Sequence, residues 1–432
     1  MTSHVATRRG FLKTTGATAA GLYVAGAAVS KASETLALDG GPKTVTKSPY
    51  TRWPQFSKEA IDDAAKLAAS PHYGTIDKFE AAWREYFDVP FAKAHCNGTS
   101  SFGAGFFALD LPPGSEVLVT TYSTWFPLSQ ARLLGLVPKF VDVDPHSLNI
   151  CVEDMKKKYT SKCRAIMPVH WWGLPCEMEA ICDFAKEKGM DVVEDASHAH
   201  GSKIKGEWIG KLGRIGCFSL QGSKPCPSIE GGIANFKTPR DWERATFFGH
   251  YGLPGSFPDD SPYKKYASTA AGSKLRMHPV SAILAKDSLN QLEAQNAVVI
   301  KNAKTLEERI TQLPGLSAPK EPEGCERVYY STHMMMFDAQ KAGFSRDKLI
   351  KALNAEGVSA SSFGWSLLHK YPYFREEHWW HHAPESPEAT PGCDQANAIC
   401  FSMPLFRKDD PEVVDQYAKA FEKVWANKDK LA

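Results

Sequence analysis

In the middle of the chain a carboxylate stands beside two imidazoles, in Glu194-Asp195-Ala196-Ser197-His198-Ala199-His200-Gly201, directly after the apolar pair Val192-Val193. Packing explains such a group poorly. An acid at a strand end suits a cationic ring nitrogen, with His198 orienting the ring or stacking on it. Zinc is the rival reading for His198 and His200, but no third ligand stands at a sensible spacing. Further on, Phe218-Ser219-Leu220-Gln221-Gly222-Ser223-Lys224 places a lysine after another strand end, with hydroxyls around it and Glu230-Gly231-Gly232 beyond. That lysine is a candidate amine nucleophile; a plain surface lysine is the alternative. Upstream, Asn97-Gly98-Thr99-Ser100-Ser101 precedes the apolar stretch from Phe102 to Leu109. It reads as a helix N-terminus, where free N–H groups and the helix dipole receive an anion; taken alone, simple capping explains it better. Trp125 follows a strand ending at Thr120 and suits either stacking on a flat ring or a core position.

The combination decides among these readings. An anion turn, an aromatic ring, an acid at a strand end and an amine, in that order along an α/β chain, are the parts that pyridoxal phosphate requires. The cofactor needs a phosphate cradle, a stacking partner, a carboxylate at its pyridine nitrogen and an amine at C4′. Asp195 would keep the ring protonated, so that the ring accepts electrons when a Cα–H bond breaks. Lys224 would hold the cofactor as a Schiff base and then carry the proton between Cα and C4′.

The elements that must position these residues are visible as short β-type runs alternating with helical patterns. The runs are 116–120, 139–143, 165–170, 191–194 and 216–220, and 177–188 has apolar residues at helical spacing. This rhythm predicts an α/β fold with a mostly parallel central sheet covered on both faces. After about Ser273 the pattern changes to a long helix over 279–312, a strand-like 328–337, a helix near 347–355, an aromatic-rich loop and a terminal helix from 411 to about 427. We read 56–285 as a large cofactor-binding domain, 286–432 as a smaller C-terminal α/β domain, and 33–55 as a surface leader.

The first 32 residues read as an address. Thr7-Arg8-Arg9-Gly10-Phe11-Leu12-Lys13 precedes a weakly apolar Ala/Gly-rich stretch and small residues suited to a peptidase. This resembles a twin-arginine signal, which implies export to the periplasm or another extracytoplasmic space; a basic, disordered terminus is the alternative. The apolar run is too short and Gly-rich for a stable membrane span. In the 432-residue chain, 51 Lys plus Arg balance 49 Asp plus Glu, giving a net charge of +2 and no case for nucleic-acid binding. The partner expected is a small molecule. Ten cysteines include no CxxC pair, and no metal site is expected.

These motifs together resemble the DegT/DnrJ/StrS aminotransferase family of fold type I pyridoxal-phosphate enzymes, over nearly all of the chain from about Leu38. Leu38-Asp39-Gly40-Gly41-Pro42 and Arg52-Trp53-Pro54 resemble the opening of a branch that includes scyllo-inosose aminotransferases. The resemblance implies phosphate contacts from Gly98, Thr99, Ser100 and Ser219, ring stacking by Trp125, and a pyridine-nitrogen contact by Asp195 in a motif usually written EDxAxAxG. It puts His198 where Gln is common and Lys224 at the catalytic amine. Gly272-Ser273-Lys274-Leu275-Arg276-Met277 resembles the family's GxNxRM, with Lys274 replacing the Asn that reaches the neighbouring subunit's phosphate; a homodimer is therefore implied. A lysine could serve there as a point charge. Pro225 and Pro227 stiffen the loop after Lys224.

The expected activity is transamination: an amino-acid donor such as glutamate or glutamine loads nitrogen, and a keto-sugar or keto-cyclitol takes it. A sugar dehydratase of the same fold typically carries His in place of the Schiff-base Lys, so Lys224 argues against it. An exported sugar-binding module without turnover is the reading from another class, and intact Asp195, Ser219 and Lys224 speak against it.

Overall fold

Five apolar runs form the parallel core of a seven-stranded sheet. The computed structural model describes residues 34–432, so the twin-arginine segment lies outside the described residues. In chain order the first strands are β1 (Phe91–His95), β2 (Glu116–Thr120), β3 (Val137–Val141), β4 (Cys163–Met167) and β5 (Asp191–Asp195). A short hairpin, β6 (Lys203–Ile204) and β7 (Glu207–Trp208), leads to β8 (Ile215–Ser219) and β9 (Gly232–Phe236). The sheet order is β1-β9-β8-β5-β4-β2-β3. From β8 to β3 every neighbour is parallel, while β9 runs antiparallel between β1 and β8. Strands buried on both faces read as continuous apolar runs, which is why the parallel set was legible in sequence.

Neither β1 nor β9 was expected, because both carry polar residues. Burial of those residues is made tolerable by partners. Lys93 lies 3.0 Å from Glu80, and Asn235 accepts the Trp83 indole N–H at 2.8 Å while donating to the Gly210 carbonyl.

Helices cover both faces: α1 (Lys58–Ala69), α2 (Gly74–Phe87), α3 (Gly98–Leu109), α4 (Phe126–Leu133), α5 (Val152–Lys158), α6 (Met178–Lys188), α7 (Pro239–Gly249) and α8 (Pro279–Ile310). The last is one 32-residue helix. The division anticipated at 285/286 falls inside it, so the helix serves both halves, packing on α1 and α2 at its start and on the terminal helix at its end.

The second half adds β10 (Leu316–Ser317), β11 (Cys325–Glu326), β12 (His333–Phe337), α9 (Ala339–Ala342), α10 (Arg346–Ala355), β13 (Ser361–Ser362), α11 (Pro391–Ile399), β14 (Cys400–Met403) and α12 (Pro411–Ala426). Its sheet has the order β10-β12-β14-β13, whereas β11 pairs with β6 of the larger half. The segment expected to be a surface leader is partly internal. Leu36 and Val45 join the core formed by α10, α12 and β12, because each apolar side chain hidden there is worth about 1.5–3 kcal/mol. Among the described residues no helix is long and apolar enough to cross a membrane.

Candidate active site

The carboxyl ends of β5 and β8 are neighbours in register, with Asp195 opposite Cys217. Loops leaving those ends, together with the first turn of α3, enclose a cavity of 390 Å³ lined by Gly98, Thr99, Asp195, His198, Ser219 and Lys224. Ser123, Thr124, Phe126, Trp171, Gln221 and Glu230 complete much of its wall. Sheets of this type open their ligand site at this edge.

The anion turn forms as its sequence suggests. Asn97 has extended backbone and its side chain accepts the Ser100 N–H at 2.8 Å. The N–H groups of Gly98 and Thr99 have no acceptor among the described residues and remain free at the positive end of a 12-residue helix. Gly98 is required here, since a Cβ would fall 2.7 Å from the Ser219 Cβ. That close approach brings the Ser219 hydroxyl beside the turn. Ser100 does not reach the cavity lining: Asn97 occupies its N–H, and its Oγ lies 3.2 Å from the Cys96 sulfur.

Asp195 and Glu194 are adjacent acids with different surroundings. Glu194 points to the far side of the strand and accepts from Gly210 N, Gly213 N and His170 Nε2. His170 Nδ1 accepts the Cys176 N–H at 3.0 Å, which leaves the proton on Nε2. Asp195 accepts the Ser197 N–H at 3.1 Å and, among the described residues, touches no cation. Burial pushes its carboxyl above the usual range, against the Ser197 hydrogen bonds and the more distant charge of Lys224. Backbone bonds from Asp195 N to Pro168 O and from His170 N to Asp195 O hold it in place.

His198 is half-buried with its Nδ1 inaccessible, and desolvation with the charge of Lys224 holds it neutral. Its ring lies 4.3 Å from that of Tyr330 and 5.2 Å from that of Trp171, and its Nδ1 has no partner among the described residues. The Lys224 amine lies 4.5 Å from the centre of the Tyr330 ring. Tyr330 in turn bonds Ser223 Oγ through its hydroxyl at 2.9 Å. Glu230, across the cavity, is pushed up by burial.

Two expected site residues lie elsewhere in this chain. Trp125 is 48% exposed and lines a separate open depression with Tyr371, Tyr373 and Phe374. It already has helical backbone at the start of α4. Successive helical residues point about 100° apart, so only Phe126, whose ring is 4.4 Å from that of Trp125, borders the cavity. Lys274 is exposed beside Lys93, His250, Tyr251 and Arg276 in another pocket. Ser123, Thr124, Phe126, Trp171 and Gln221 line the cavity and escaped the sequence reading, as did Tyr330, whose ring lies beside the Lys224 amine and His198. Tyr330 sits in a strand-like run with no chemical signature and arrives only because β11 joins β6. The aromatic loop docks by its polar atoms, Trp365 Nε1 to Ser123 O at 2.8 Å and His369 Nδ1 to Thr121 Oγ1 at 2.7 Å. Among the described residues no three His, Cys, Asp or Glu side chains are grouped to hold a metal.

A free helix N-terminus, a buried acid with no cation in contact and an amine facing the same space fit pyridoxal phosphate. Fold and site define the class of pyridoxal-phosphate-dependent aminotransferases. Residues 55–422 match the DegT/DnrJ/EryC1/StrS aminotransferase family, and the chain belongs to it. The chain is similar to the MosB protein of Rhizobium meliloti, 31% identical over 61% of this chain and 54% of that protein. It is also similar to GDP-perosamine synthase of Escherichia coli O157:H7, 32% identical over 55% of this chain and 63% of that protein. The matches thus span little more than half the length of these curated relatives. An aminotransferase structure from Psychrobacter cryohalolentis superposes with a TM-score of 0.78 at 25% identity, covering 88% of this chain and 99% of that one.

Proposed function

We propose that this chain transfers an amino group from an amino acid, such as glutamate or glutamine, to a keto-sugar or keto-cyclitol. The observation that carries the reading is that Lys224 and Asp195 open into one cavity beside the free first turn of α3. Bound pyridoxal phosphate supplies an electron sink for the carbon that loses its proton. Gly98 N, Thr99 N and the Ser219 hydroxyl would hold its phosphate. Asp195 would accept a hydrogen bond from the ring nitrogen, which burial would strengthen. Neutral His198 would lie against the ring or bond it through Nδ1. Lys224 Nζ, with no carboxylate in contact among the described residues, would take up and carry the proton that the substrate carbon releases. Trp171 and Tyr330 exclude water around that amine.

A lysine at position 224 favours amino transfer over dehydration, and the reactive groups gathered in one cavity favour turnover over mere binding. Purified protein should be yellow and change its visible spectrum with an amino donor. Lys224→Ala should keep the fold and lose turnover by at least about a thousandfold; retained turnover would remove the mechanism. Lys274 is proposed to reach the cofactor phosphate of a second copy, and sedimentation should then report a homodimer. The paired Arg8 and Arg9 support export through the twin-arginine route, which carries folded, cofactor-loaded proteins; Arg8→Lys with Arg9→Lys should retain the protein inside the cell.

A further inference from the structure

Arg407 lies in the loop between β14 and α12, and its position is unusual for an arginine. Its guanidinium carbon stacks 4.1 Å from the centre of the Trp53 ring. The Trp53 indole N–H donates to the Lys224 carbonyl at 3.3 Å. Arg407 is half-buried, and that burial pushes its pKa down. Trp53, from the N-terminal segment, thus places Arg407 one ring away from the peptide of Lys224, whose amine lies against Tyr330 of the second half. Among the described residues no carboxylate pairs with Arg407, and it makes no hydrogen bond. By contrast, Arg214 pairs with Asp191 and Asp241, and Arg309 with Asp415 and Glu422. Stacking uses the flat faces of the guanidinium and leaves its edge donors in a fork that matches two oxygens of one anion.

We propose that Arg407 receives the carboxylate of the amino-acid donor and so sets donor specificity. This rests on the transamination reading above. In an α-amino acid the carboxylate is bonded to the very carbon that loses its proton, so its receptor must lie close to the Lys224 amine. The diphosphate of a nucleotide-linked sugar would sit a whole sugar ring away from the reacting carbon, and its greater charge would call for more than one guanidinium. An unpaired, partly desolvated guanidinium is costly to hold, and a carboxylate ligand relieves that cost on binding.

The test uses holoenzyme and three probes: L-glutamate followed by visible absorption, succinate followed by calorimetry, and ethylamine as an amine without a carboxylate. Arg407→Met, which keeps an apolar stem on Trp53, should weaken L-glutamate and succinate about 10- to 100-fold and leave ethylamine unchanged. Arg407→Lys, which keeps the charge but not the fork, should fall between. Equal weakening of L-glutamate and ethylamine would make Arg407 a structural residue and overturn the proposal. So would a loss confined to a nucleoside diphosphate such as UDP, with succinate affinity intact. Wild-type protein that binds succinate through Arg407 yet exchanges no nitrogen would sink the transamination reading and leave the carboxylate site standing.

Discussion

Asp195 at the end of β5 and Glu356 after α10 are both buried, 6% and 0% exposed, yet their surroundings drive them in opposite directions. Glu356 accepts from Ala37 N at 2.7 Å, Thr44 N at 3.2 Å, Thr44 Oγ1 at 2.8 Å and Lys423 Nζ at 2.9 Å. Burial raises its pKa, but those donors together outweigh burial and hold it below the usual carboxylate range. Asp195 has only the Ser197 turn for company, and burial wins. The saturated acid rivets the N-terminal segment to the second half of the molecule. The under-partnered acid leaves its remaining acceptor capacity for a ligand. A buried polar group with its partners complete is architecture, and one left short of partners marks a site.

The largest expected effect comes from breaking the under-partnered acid. Asp195→Asn should lower turnover about 10²- to 10³-fold, since a neutral amide does not hold the ring nitrogen protonated. Its denaturant midpoint without cofactor should hold or rise, because a costly buried charge is gone; a large loss of stability would show that Asp195 is architecture after all. Glu356→Gln should do the reverse. It leaves Lys423 buried without its carboxylate, so unfolding free energy should fall by about 3 kcal/mol, with steady-state kinetics of the surviving folded enzyme nearly unchanged.

A pH series sharpens the contrast. The stability that Glu356 contributes is fully present above the pKa of the unfolded carboxylate and is lost as pH falls from there through its depressed folded value. Asp195 has the opposite sign. Its raised folded pKa makes the ionised form a burden at neutral pH, relieved as pH drops through that value toward the unfolded one. Denaturation of cofactor-free protein between neutral and acidic pH should therefore show a steeper acid loss in Asp195→Asn than in wild type, and a flatter one in Glu356→Gln. The smallest effect belongs to Thr44→Val, which removes one of several donors to Glu356 and should cost about 1 kcal/mol. A cost as large as that of Glu356→Gln would mean the network fails as a unit.

Much of the site was legible because its chemistry is local. Gly98 and Thr99 sit at a helix start that Asn97 caps, Asp195 and Ser219 end apolar strands, and Lys224 follows Ser219 within one turn. Each is placed by its own few neighbours in the chain, and parallel strands buried on both faces announce themselves as apolar runs. Tertiary structure alone decided the rest. β1 and β9 were hidden because Lys93 and Asn235 look like surface residues until Glu80 and Trp83 arrive from α2. Trp125 and Phe126 are adjacent aromatics, and only the angle at which α4 leaves the sheet settles which one faces the cavity. Tyr330, Trp53 and Arg407 converge on Lys224 from segments far apart in the chain. The physical reason is the same in each case. Strand ends and helix caps are set by neighbours within a few residues, whereas the company a buried polar or aromatic group keeps depends on which distant segments pack against it.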